Sequence, residues 1–126
     1  MLALGVSRCC LMTTDDLTWD SHAENDKKQD ANFEALFAGV VHLMEKLAET
    51  PGSTGAMLSE ETCVVLMSEM GRTPKLNKTN GRDHYPNVFS AAIAGGPVQG
   101  GQVVGSSDSK GAFPLKNPKS PQDVLA

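Results

Sequence analysis

The chain has 126 residues, one domain's worth, with 40% hydrophobic and 21% charged residues, which supplies a core and excludes wholesale disorder. No apolar run approaches the ~18 residues that a membrane helix takes, so no membrane partner is expected. A net charge of −4 and only 5% aromatic residues argue against a nucleic-acid partner, which would call for a basic surface and stacking rings. The charge is uneven: residues 1–69 carry 12 acids and 4 bases, whereas residues 70–126 carry 3 acids and 7 bases.

Residues 7–13, Ser-Arg-Cys-Cys-Leu-Met-Thr, form a short apolar run that suits a buried strand. The three cysteines, Cys9, Cys10 and Cys63, have no CxxC or disulfide-framework spacing and are expected as buried thiols. Leu2–Val6 is apolar but has no basic segment before it and is interrupted by Arg8, unlike a signal peptide. A polar loop is expected from Thr14 to Asp26, carrying Trp19-Asp20-Ser21-His22.

Phe33, Leu36, Phe37, Val40, Leu43, Met44 and Leu47 fall on one helical stripe, which predicts a helix over 28–49 with His42 on its solvent face. Pro51-Gly52-Ser53 ends it. The continuous run 62–68, Thr-Cys-Val-Val-Leu-Met-Ser, predicts a strand covered on both faces, as in a parallel sheet. Residues 7–68 therefore read as a βαβ crossover, with the carboxyl ends of both strands at one edge.

A polar loop from Gly71 to Pro86 leads to a third short apolar segment, 88–94. Glycines at 95, 96, 100 and 101 predict a hairpin with Gln102-Val103-Val104, and 106–118 reads as loop. Ser120-Pro121-Gln122-Asp123 has the pattern of a helix start, a Ser cap with an acid three residues on.

Ligands of open α/β sheets bind outside the carboxyl ends of the strands. Asp20 and His22 follow the first expected strand, Glu69 follows the second, and His84 with Asp83 precedes the third. Two imidazoles and two or three carboxylates at one edge make a ligand set suited to Zn²⁺, Mn²⁺, Fe or Mg²⁺. Arg72 and Arg82, in the same loop, are candidates to bind an oxyanion. The glycine-rich stretch 95–105 matches no nucleotide-binding motif, there is no Gly-x-Ser-x-Gly elbow, and Asn77-Lys78-Thr79 is a glycosylation sequon.

Taken together, Trp-Asp20-Ser-His22, Ser-Glu69-Met-Gly-Arg72-Thr-Pro, Gly-Arg82-Asp83-His84-Tyr-Pro-Asn and the glycine-rich segment 95–105 resemble the C-terminal part of a bacterial family of uncharacterised sulfatase-like proteins in the alkaline phosphatase superfamily. The resemblance covers nearly the whole chain. It implies an α/β fold, part of a three-layer α/β/α sandwich with a mostly parallel sheet, and a role as the C-terminal portion, residues 1–126, of a metal-dependent hydrolase of phosphate or sulfate esters. It implies a two-metal site for divalent ions of the Zn or Mn kind, with Asp20, His22 and His84 on one ion and Glu69 on the other. Asp83, Arg72 and Arg82 would support the ligands or hold the anionic ester.

At Glu69 the chain departs from the superfamily, which has an Asp-His pair where this sequence has Glu69-Met70. No residue matches the family's nucleophile, so the chain reads as a fragment. A non-catalytic metal-binding or scaffold protein, or an inactive gene fragment, is the alternative. Members of the family are often exported to the periplasm or cell envelope.

Overall fold

The computed structural model describes residues 2–14 and 17–125; of the loop expected over 14–26, residues 15 and 16 lie outside the described residues. The dominant element is α1, Asn25–Glu49, followed by the one-turn helix α2, Leu58–Glu61. Six short strands come next in chain order: β1 (Val64–Leu66), β2 (Gly71–Arg72), β3 (His84–Tyr85), β4 (Ala92–Ala94), β5 (Ser106–Ser107) and β6 (Pro114–Lys116). The helix α3, Pro121–Leu125, ends the order.

Every described strand pair is antiparallel: β1 with β4, β2 with β3, and β5 with β6, each a two-stranded ribbon. The expected mostly parallel three-layer α/β/α sandwich is therefore not the fold. Apolar runs such as Val64-Val65-Leu66 predict a strand but not its direction, and here the partner is Ala92–Ala94 running the opposite way. Residues 7–13 form no strand, and Leu11 and Met12 in that stretch are 87% and 70% exposed, so the βαβ crossover does not form. Cys9, Cys10 and Cys63 are exposed, contrary to the expectation of buried thiols.

The hairpin expected around 95–104 is also absent. Since β4 is paired with β1, Gln102-Val103-Val104 stays unpaired, and Val103 is almost fully exposed. A hairpin forms instead at 106–116, read from the sequence as loop. Its turn is closed by Asp108, whose Oδ1 accepts from the Lys110 and Ala112 N–H groups. The Tyr85 hydroxyl donates to the Ala112 carbonyl at 2.8 Å and ties this hairpin to β3.

The helix stripe is real at its C-terminal end, where Leu47 is buried and α1 packs on α2, whose Leu58 is the other buried apolar residue among those described. Farther up, the stripe residues Phe33 and Phe37 are about half exposed. The helix begins three residues earlier than the apolar pattern predicts. Its N-terminus has no side-chain cap; Glu24 takes a left-handed conformation, and the Glu24 and Asn25 N–H groups donate to the carbonyls of Thr79 and Asn80. The start of α1 is thus set by the loop that docks on it. The predicted α3 start holds: Asp123 Oδ2 accepts from both the Ser120 N–H and its hydroxyl, and the Asp123 N–H donates back to Ser120 Oγ.

Candidate metal centre

Three elements bring the site residues together. The first is the extended stretch Asp20–His22. In extended backbone alternate side chains share a side, so Asp20 and His22 project together and Ser21 projects the other way. Ser21 is fully buried; its hydroxyl donates to Asn25 Oδ1 and accepts from Gln29 Nε2, both at 2.8 Å. Gln29 Nε2 also donates to the Trp19 carbonyl, and Asn32 Nδ2 donates to the Thr18 carbonyl at 2.9 Å. Trp19 packs edge-on against Phe33, ring centroids 5.3 Å apart. One polar stripe of α1, Asn25, Gln29 and Asn32, therefore pins the strand-like segment in place. A search for apolar periodicity passes over these residues; their i, i+4, i+7 spacing puts them on one helix face but does not say that a segment covers it.

The second element is the loop 77–83. Asn77 Nδ2 donates to the His22 carbonyl at 3.0 Å and to Asp83 Oδ1 at 2.9 Å, while Asn77 Oδ1 accepts from the Thr79 and Gly81 N–H groups. The Thr79 hydroxyl also donates to the His22 carbonyl at 2.7 Å. The loop lies so close to residues 22–23 that a Cβ at Gly81 would overlap the His22 carbonyl group, main chain that has no room to retreat. Both polar ends of the Asn77 side chain are engaged here, so the sequon asparagine is an internal strut.

The third element is the β2–β3 pair, whose register sets Arg72 opposite His84. Cross-strand partners share a face, and both side chains reach Asp20. Asp20 Oδ1 lies 3.0 Å from His22 Nε2, 3.0 Å from His84 Nε2 and 2.7 Å from Arg72 Nη2. The two imidazole centroids are 4.9 Å apart. Beside this cluster, His22 Nδ1 faces Asp83 Oδ1 at 3.0 Å. The hydrogen bond from Arg72, and then that from His84, pulls the Asp20 carboxyl down to about 2. The Asp83 carboxyl is lowered by His22 and then Asn77.

Of the residues expected to ligate, Asp20, His22 and His84 are brought together, with one ligand atom from each within 4.8 Å of the others. Glu69 is not in this group; it is exposed in the bend after β1. Asp83 stands behind His22 on the far ring nitrogen. Arg72 is in the cluster, whereas Arg82 is not: its Nη1 donates to the Thr73 and Pro74 carbonyls at 2.7 Å each, which uses it as a loop clamp. His42 is exposed on α1, as expected.

Asp20, His22 and His84 are donors of the kind that could hold a divalent ion. Ligand atoms about 2.1 Å from a tetrahedral ion stand roughly 3.4 Å apart, so the 3.0 Å Asp20–His spacings need to open by only a few tenths of an ångström. A carboxylate on the remaining ring nitrogen is the usual support of a metal-bound histidine, because it fixes the tautomer that leaves the other nitrogen's lone pair free. Asp83 occupies that place for His22.

Among the described residues no helix is long and apolar enough to cross a membrane. Comparison with curated proteins gave no match, and comparison with solved structures gave none. One family model matches, over residues 3–126; its description is Protein of unknown function (DUF1501).

Proposed function

We propose that this chain, which belongs to the DUF1501 family, carries a divalent-cation centre made by Asp20, His22 and His84, and that the centre serves hydrolysis of phosphate or sulfate esters. The observation that carries the cation reading is the meeting of both Nε2 atoms at a single carboxylate oxygen, 3.0 Å from each. The hydrolytic part rests on the likeness of the Asp-x-His and Gly-Arg-Asp-His motifs to sulfatase-like proteins.

A bound Zn²⁺ or Mn²⁺ supplies Lewis-acid polarisation of an ester oxygen. The chain's own residues do the rest. Asp83 orients His22 through Nδ1, Asn77 holds both Asp83 and the His22 main chain, and Arg72 places a permanent positive charge beside an anionic ester. Glu69 lies apart from the cluster, which favours one ion over two and keeps cation binding without turnover as the competing reading.

Calorimetric titration of Zn²⁺ and Mn²⁺ into the chain tests the centre. His22→Ala and His84→Ala each weaken binding ~10-fold or more, since even changes behind the ligands cost 10–100-fold, and His42→Ala leaves it unchanged. Equal loss on His42→Ala overturns the ligand assignment. Turnover of an aryl phosphate or aryl sulfate that disappears in His84→Ala separates hydrolysis from binding alone.

A further inference from the structure

The strongest cation at the centre is already part of the protein. Asp20 Oδ1 has three nitrogen neighbours, and the shortest contact, 2.7 Å, is to Arg72. The two imidazoles can exchange this contact for a bond to an ion, because Nε2 has a lone pair to offer in the right tautomer. Arg72 cannot. A guanidinium has no acceptor atom and does not deprotonate in proteins. It must give up the Asp20 oxygen or stand against a dication at contact distance.

Its surroundings make it a resident of this spot rather than a passer-by. The β2–β3 register delivers it opposite His84, and its side chain is only 23% exposed against 58% for Asp20. Its hydrogen bond from Nη1 to the Arg82 carbonyl is long at 3.3 Å and holds it loosely. Arg82, by contrast, is anchored on two carbonyls away from the carboxylate.

We infer that Arg72 is a built-in counter-cation that competes with the metal ion for Asp20, so that cation affinity is limited by displacement of this guanidinium. The inference rests on the cation centre proposed above and gives it a regulatory element: whatever draws Arg72 off Asp20 tightens cation binding. Arg72 acts here by occupying a ligand, and its removal should improve binding where removal of a supporting residue would harm it.

The test is calorimetric titration of Mn²⁺ into the 126-residue chain, as wild type, Arg72→Gln and Arg72→Lys, with the helical circular dichroism of α1 checking that each variant folds. Arg72→Gln should bind Mn²⁺ about 10-fold more tightly, the factor that corresponds to one pKa unit of charge interaction, and Arg72→Lys should stay near wild type. A second measurement needs no variant: on saturation with Zn²⁺ the Arg72 side-chain Nε–H signal in an NMR spectrum should move, and that of Arg82 should not. Wild type that binds while Arg72→Gln binds equally or more weakly overturns the competition and leaves the centre standing. An unmoved Arg72 signal at Zn²⁺ saturation does the same. Binding by neither wild type nor Arg72→Gln removes the centre, and the competition with it.

Discussion

Ser21 shows how much of the centre depends on a residue that touches no ligand atom. It is fully buried, and its hydroxyl meets Asn25 and Gln29 of α1 from the side opposite Asp20 and His22. Ser21→Ala removes one of the two acceptors of the Gln29 amide and the donor to Asn25 Oδ1, leaving buried polar groups short of a partner. That should cost about 1–3 kcal/mol, read as a lowered denaturation midpoint. Thr79→Val removes one hydroxyl donor from the His22 carbonyl, which keeps the Asn77 amide as its other donor, and should cost less. Equal losses would show that the Ser21 pin is not what holds the segment. Asp-x-His was legible in the sequence as a possible ligand pair. The Asn25-Gln29-Asn32 stripe that fixes it was not, because polar side chains on a helix ordinarily face water and nothing in their spacing says that a neighbouring segment will cover them.

At the scale of elements, the long helix and the Ser120–Asp123 cap were legible because both are local: a 3.6-residue period and a three-residue spacing need no distant partner. Strand direction and pairing were not, since Val64–Leu66 looks the same whether its neighbour runs parallel or antiparallel. His22 and His84 do meet, but a docked loop brings them together and not the edge of a parallel sheet.

The connection between α1 and α2 offers a separate test. The Glu61 carboxylate accepts from the Thr54 hydroxyl and from the Thr54 and Ser53 N–H groups. These bonds, the Thr54 hydroxyl first, hold its carboxyl below the usual range. A carboxyl lowered in the folded state stabilises that state above its unfolded pKa, and the contribution disappears as pH falls through the folded value. Acidification should therefore release this loop, seen as Ser53 and Thr54 amide shifts that follow the Glu61 titration. Glu61→Gln should remove that response; amides that still titrate in the variant would place the cause elsewhere.

At the scale of the whole molecule, the accessible surface is 9501 Å². A folded monomer of 13.3 kDa is expected to show about 6,500 Å², and its extended chain about 19,300 Å². The chain thus buries about half of its surface where about two-thirds is usual for its length. Leu4, Val6, Leu11, Met12, Phe33 and Phe37 contribute to the excess. Since the denaturant slope follows the surface exposed on unfolding, the m-value should be about three-quarters of that for a typical chain of this length, and a dye that reports apolar surface should bind the native state. A full-sized m-value with no dye binding would contradict this open surface.

The hydrogen bond between His84 and Asp20 joins positions 64 residues apart. An ion held by Asp20, His22 and His84 would act as a clasp across that span, in the manner of a disulfide. For a permanent link the chain-entropy relation gives about 4 kcal/mol for a loop of this size. Residues 77–82 already dock on residues 21–25 through main-chain and side-chain hydrogen bonds, so loading the centre would lock a contact that the chain has made, and opening of the loop away from the start of α1 would become rarer.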